Sequence, residues 1–291
     1  MPDFWTHHYA ALEIKKQLPR RLLWPDVMDA LYFLGAQGPD FLFYIGRFNP
    51  WYTKVYRKTG NEVHTEQIEE LFRSLFQTCA SLDNDAARAY LFGFISHYML
   101  DVFCHPIIDR LGDATDGHKR VEMDFETLML YTKWQIPARD LPLSAYACTD
   151  SSLKEGFTPY WNRLIPELYG TEVDDVPLLM GRRDMLRIQS LVSREVIGTI
   201  PFYKILGKAL HYDLSLLMFS KVPVDKLSEV REFSTFLTHY HQAISVAAIC
   251  IDDIAVALET KTLPDSLVKQ YFDKNFSGEA YAHDSRTVRG K

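Results

Sequence analysis

Between His97 and Glu122 the chain repeats histidine and carboxylate residues at four-residue intervals: His97, Asp101 and His105, then His118 and Glu122. That interval keeps side chains on one face of an α-helix, with a drift of about 40° per step. The spacing therefore predicts two neighbouring helices, each with an ionisable stripe. Such a stripe needs a partner, because an unpaired polar group facing a core is costly. Imidazole nitrogen and carboxylate oxygen are the atoms that zinc-type cations take, so a metal cluster supplies that partner.

The rest of the chain reads as helical. Periodicity and punctuation predict helices over about 5–18, 27–35, 66–80, 86–104, 118–133, 151–169, 181–198, 202–219, 225–259 and 264–274. Gly35 to Asp40 reads as a turn, Asn61 or Thr65 as a cap for the helix from 66, and Asp83-Asn84-Asp85 as the cap of the long helix. Pro106 is expected to end or kink that helix. The segment from Arg47 to Gly60 is aromatic and basic without a clear period, and no alternating strand stands out. The expectation is one all-α domain over 1–291 with its metal cluster among the helices. Residues 1–135 would bear the ligands, 136–276 would be a helical remainder, and 277–291 a frayed tail.

Bulk properties exclude some classes. A net charge of −6 argues against holding nucleic acid by a basic surface, so no stable nucleic-acid complex is expected. Cys79, Cys104, Cys148 and Cys250 are far apart, without CxxC pairing, and read as reduced residues. No basic-then-apolar leader and no run of about 18 apolar residues stands out, so neither a signal nor a transmembrane segment is expected, and the location is read as cytoplasmic.

Other polar residues carry less. His8 points about 100° away from His7 on a helix and reads as an ordinary residue. His239 and His241, two apart, cannot share a helix face, and His283-Asp284 lacks the other ligands of an HD phosphohydrolase. Among Phe41, Phe43, Tyr44, Phe48, Trp51, Tyr52 and Tyr56, most read as core and one or two as walls of a site.

Six segments recur in order: Thr6-His7-His8, Gly35 to Phe41, His64-Thr65-Glu66, Gly93 to Asp101, Cys104-His105-Pro106, and His118 to Glu122. In these the chain resembles the zinc-dependent phospholipase C proteins, which share a fold and a trinuclear zinc site with single-strand-specific nucleases. The resemblance covers about 5–125. It implies one zinc site from Asp40, His64, His97 and Asp101, and a second from His105, His118 and Glu122. His7 and a shared Asp101 would begin a third, and Asp40 would also be the general base. Two zinc ions are thus expected. The third site departs from the family, whose secreted members use the amine and carbonyl of a mature N-terminal Trp; here Trp5 lies two residues before His7.

The chemistry implied is hydrolysis of a phosphodiester by metal-activated water. Paired cations clamp the phosphate, stabilise attacking and leaving oxygens, and bring the pKa of a bound water towards about 7. Glu66, Asp124 and Glu126 are candidates for orienting the ligands. The substrate could be a phospholipid head group or a soluble phosphodiester, since no amphipathic anchor is evident. A nuclease, nucleotidase or small phosphoester hydrolase is the alternative on the same site. A non-catalytic metal-binding protein is the alternative of another class.

Overall fold

The computed structural model describes residues 4–46, 50–112, 117–137, 140–193, 219 and 231–280, with side chains at 50–53 and 231 left aside. Among them the protein is all-α: eleven α-helices, several 3-10 turns, no strand, and one isolated bridge between Lys274 and Ala280. In chain order the helices are α1 (Phe4–Gln17), α2 (Asp29–Gly35), α3 (Pro50–Thr65), α4 (Ile68–Leu82), α5 (Asp85–Leu111) and α6 (Gly117–Leu128). There follow α7 (Asp150–Gly156), α8 (Thr158–Tyr169), α9 (Asp175–Val192), α10 (Arg231–Glu259) and α11 (Asp265–Tyr271). The predicted helix over 202–219 lies outside the described residues, apart from buried Phe219.

Helix α5 is the axis of the fold. It packs most extensively on α10 and α2, and also meets α1, α4, α6 and α7. Its start is the expected one, because Asn84 Oδ1 accepts the Ala87 N–H at 2.7 Å. Helix α2 approaches it closely: a Cβ on Gly35 would collide with the Tyr90 carbonyl, and one on Gly93 with the Tyr32 carbonyl. This backbone contact delivers the turn after α2 onto the ligand stripe.

Pro106 does not end the helix. α5 runs through it to Leu111, although proline has no N–H for the Val102 carbonyl. A neighbour compensates at the adjacent carbonyl, where His239 Nδ1 of α10 donates to Phe103 at 2.8 Å. Helix α6 passes directly into a π-helical turn, Met129–Trp134, in place of one helix to 133.

Three further expectations need correction. The stretch assigned no period forms most of α3, whose buried positions are Tyr56, Thr59, Gly60 and Val63. Their spacing is helical, but two of the four residues are not apolar, which hid it. Neither Asn61 nor Thr65 caps α4, since both belong to α3; Gln67 precedes α4 in the left-handed region at φ 54° and ties its side chain to the Leu168 carbonyl at 2.8 Å.

Residues 277–280 are not frayed. The Asn275 side-chain oxygen accepts the N–H groups of Ser277 and Glu279, each at 3.0 Å, and closes a tight turn. Two helices do reach the length and apolar content of a membrane span: α5, with 89% of that stretch buried in the protein, and Glu232–Glu259 of α10, with 44%. In α5 the apolar run continues across His97 and Asp101, because this helix is surrounded by others on nearly every face.

Candidate metal centre

Four elements converge on the α5 stripe. α1 brings His7, the 3-10 turn Asp40–Tyr44 brings Asp40, the C-terminal end of α3 brings His64, and α6 brings His118 and Glu122. Three groups of ligand-type atoms result, each with its atoms within 4.8 Å of one another: His7, His97 and Asp101; Asp40, His64 and His97; and His105, His118 and Glu122. All eight predicted residues are therefore brought together. Asp101, expected both beside Asp40, His64 and His97 and with His7, groups with His7 and His97, each with Nε2 at 3.2 Å from one of its oxygens; His105 Nε2 is 3.9 Å away.

The turn after α2 makes room for this. Gly38 has φ +51°, where side chains are rarely accommodated, and a Cβ there would collide with the His97 ring, 2.1 Å from its Cδ2. Asp40 two residues later sets an oxygen 3.2 Å from His64 Nε2 and 3.9 Å from His97 Nε2.

Hydrogen bonding fixes which ring nitrogen faces the cluster. Nδ1 of His64 meets the Gly60 carbonyl at 2.6 Å, that of His97 the Ala36 carbonyl at 3.2 Å, and that of His105 the Phe276 carbonyl at 2.6 Å. Nδ1 of His118 meets Asp109 at 2.6 Å. A carbonyl can only accept, so the Nδ1 atoms of His64, His97 and His105 carry a proton and in the neutral ring Nε2 presents a lone pair inward; His118 has a carboxylate at each nitrogen, with Glu122 2.8 Å from Nε2. Metal-ligating histidines are oriented in this way.

The inner atoms are the ones left without partners. His7 Nδ1 and Nε2, His97 Nε2, both Asp101 oxygens and His105 Nε2 are buried and make no hydrogen bond. His7 and Asp101 are 3.2 Å apart without being aligned for one. Buried orphans each cost about 1–3 kcal/mol, and a cluster of them around one point suits the binding of a cation. The donor set of imidazoles and carboxylates fits zinc.

Charge is arranged accordingly. Burial pushes His7 down to about 4, with His97 adding to the effect against the pull of Asp101. Burial works on His97 too, but Asp101 and Asp40 outweigh it and hold its pKa above the usual value. Burial opposes the charge on Asp101, yet His97, His105 and His7 together keep it well below the usual carboxylate range. Burial lowers His105 strongly and His118 as well, which favours the neutral imidazole that a cation would need.

Of the residues expected to orient the ligands, Glu126 has a different place. Its Oε2 accepts the N–H groups of Trp5 and Thr6 at 2.8 and 2.9 Å, at the N-terminus of α1, where a carboxylate complements both free donors and helix dipole. The Trp5 amide is thus engaged by Glu126, and His7 follows one turn into an anchored helix. Asp124 pairs with Arg120 at 3.4 Å, and the Glu66 carbonyl accepts the Tyr169 hydroxyl at 3.3 Å. His8 is buried, with Nδ1 3.2 Å from the Tyr146 hydroxyl, which Gln37 also reaches at 2.8 Å.

Sequence reasoning missed Asp109, although it extends the stripe His97, Asp101, His105 by one more step of four. It also missed Phe276, which acts through its backbone, and Lys119, whose Nζ is 3.2 Å from Glu122. Of the suggested aromatic walls, Phe43 packs on His64 with ring centres 5.3 Å apart, Phe41 and Tyr56 are core, and Phe48, Trp51 and Tyr52 lie outside the described side chains.

The sequence model of a family described as zinc dependent phospholipase C matches residues 6–170, a span that holds all eight clustered residues. Searches of curated proteins and of solved structures return no match.

Proposed function

Since the chain belongs to the zinc dependent phospholipase C family, we propose that it hydrolyses a phosphodiester at a zinc centre held by His7, Asp40, His64, His97, Asp101, His105, His118 and Glu122. The observation that carries this reading is the set of buried ligand-type atoms on His7, His97, Asp101 and His105 that make no hydrogen bond, with the Nδ1 atoms of His97 and His105 already fixed. Bound zinc supplies charge neutralisation at the phosphate and a water of lowered pKa.

The protein's own residues do the rest. Asp40 accepts the proton of the attacking water at its carboxylate, which lies 3.2 Å from His64 Nε2. Phe43 and Phe276 pack on His64 and restrict water on that side. His118 is the most exposed of the group, with about a third of its side chain open, so substrate enters from there. A soluble phosphodiester or a lipid head group would both meet this opening. The four unpaired cysteines agree with a reducing compartment, and we place the protein in the cytoplasm on that ground.

The test is elemental analysis of untagged protein together with hydrolysis of phosphocholine, nucleotide and simple aryl phosphodiesters. Bound zinc with turnover of one of these classes is the expected result; protein that takes up no metal at micromolar concentration would end this reading. Asp40→Asn should lower hydrolysis about 10²–10⁴-fold and cost at most one ion.

A further inference from the structure

The candidate ligands all lie within the first 122 residues, but one of their anchors comes from the far end of the chain. The turn that Asn275 closes places Phe276 between the two outer ligand groups. Its carbonyl accepts from His105 Nδ1 at 2.6 Å, and its N–H donates to the His64 carbonyl at 3.0 Å. The His64 carbonyl is near the C-terminus of α3, where helix carbonyls have no internal donor. The Phe276 ring, 1% exposed, packs on His64 at 4.9 Å and His97 at 5.8 Å between centres.

The turn is seated on α5 by a position that only glycine suits. Gly278 has φ +76°, and a Cβ there would lie 2.5 Å from the Val102 carbonyl and 2.8 Å from the Pro106 ring. The seat is thus the stretch of α5 where Pro106 leaves the Val102 carbonyl without its helical donor.

We propose that the turn at Asn275–Glu279 is a positioning device of the metal centre. Through the Phe276 backbone it holds His105 in the Nδ1–H tautomer, so that Nε2 is free to ligate, and ties α3 to α5 so that the His64 and His105 groups keep their spacing. This deepens the zinc reading above and rests on it for the consequence in metal affinity, though not for the tautomer. Histidine ligands lose about 10–100-fold in metal affinity when such partners are removed.

The test uses the full-length protein and two variants. Gly278→Val cannot keep the turn seated, for steric and backbone reasons; Asn275→Ala removes both bonds accepted by the side-chain oxygen and leaves the turn only its backbone bonds, Gly278 N–H to the Asn275 carbonyl and Asn275 N–H to the Glu279 carbonyl, each at 2.9 Å. The ¹⁵N signals of the His105 ring, assigned by their loss in His105→Gln, report the tautomer in zinc-free protein. Competition with a chelator reports zinc affinity, and far-ultraviolet circular dichroism reports helix content.

In wild type His105 should be a single Nδ1–H tautomer. In both variants it should become a mixture, with zinc affinity at the His105 group about tenfold weaker and helix content kept. An unchanged tautomer and unchanged zinc affinity in both folded variants would overturn the proposal. If Gly278→Val fails to fold, Asn275→Ala decides alone by the same criteria. If wild type binds no zinc, the zinc reading fails, while the tautomer comparison still tests the positioning role.

Discussion

The two ends of the ligand cluster solve the same problem differently. At the inner end His7, His97 and Asp101 are at most 2% exposed, and their facing atoms are unpartnered. At the outer end His118 is a third exposed, and its two nitrogens meet Asp109 at 2.6 Å and Glu122 at 2.8 Å; Lys119 adds to Glu122 at 3.2 Å. At the outer end His118 Nδ1 has Asp109 and Glu122 has Lys119, which leaves His105 Nε2 as the buried facing atom without a hydrogen bond, whereas at the inner end every facing atom lacks one. A cation should therefore contribute to folding at the inner end and mainly to chemistry at the outer end.

The largest effect expected is at Asp101, which faces His7, His97 and His105 at once. Asp101→Asn keeps the shape and removes the charge that holds these histidines together. It should lower zinc content by more than one ion and hydrolysis by at least about 10³-fold. Elemental analysis and initial rates check this; near-normal zinc would mean that Asp101 is a structural residue and that the inner group is not a metal site.

His118→Ala should be smaller in stability and still large in activity. It should cost one ion and most turnover, but move the melting temperature little, because a third of the residue is exposed, Asp109 becomes solvated and buried Glu122 keeps Lys119 at 3.2 Å. Stripping zinc from the wild type should lower the melting temperature far more than this substitution does, and returning zinc should restore it. Equal shifts in the two experiments would erase the distinction between inner and outer ends.

Much of this was legible because the inner end is written at fixed intervals on one helix. His97, Asp101 and His105 face one way by periodicity alone, and His118 and Glu122 repeat the pattern on α6. Asp109 was equally legible as the next step of four. Other contributors leave no trace of that kind. Phe276 acts through a carbonyl, which every residue has, and α3 buries Thr59 and Gly60 where periodicity analysis looks for apolar side chains. Pro106 misled because helix breaking is a local rule, whereas here the neighbouring His239 and the turn at Gly278 support the backbone around it.

The smallest effect separates a buried histidine that belongs to the centre from one that does not. His8, next to His7, is held at a pKa of about 4 by burial, and it sits in an aromatic box, with Phe33 at 4.4 Å and Tyr9 at 5.1 Å between ring centres. In the unfolded chain it titrates near the ordinary 6.5. Between these values the unfolded state binds the extra proton, so stability is full above about 6.5 and declines as pH falls towards 4. A depression of this size corresponds to a loss on the order of 3 kcal/mol. His8→Phe removes this titration while keeping a ring in the box, at the cost of the Tyr146 contact at 3.2 Å. Zinc-free His8→Phe protein should therefore be less stable at pH 7 and should lose less on going to pH 4.5 than zinc-free wild type. Denaturant midpoints at the two pH values measure both. If the acid loss is undiminished, His8 does not contribute to it, and the acid sensitivity lies with the histidines of the metal centre, where bound zinc should suppress it.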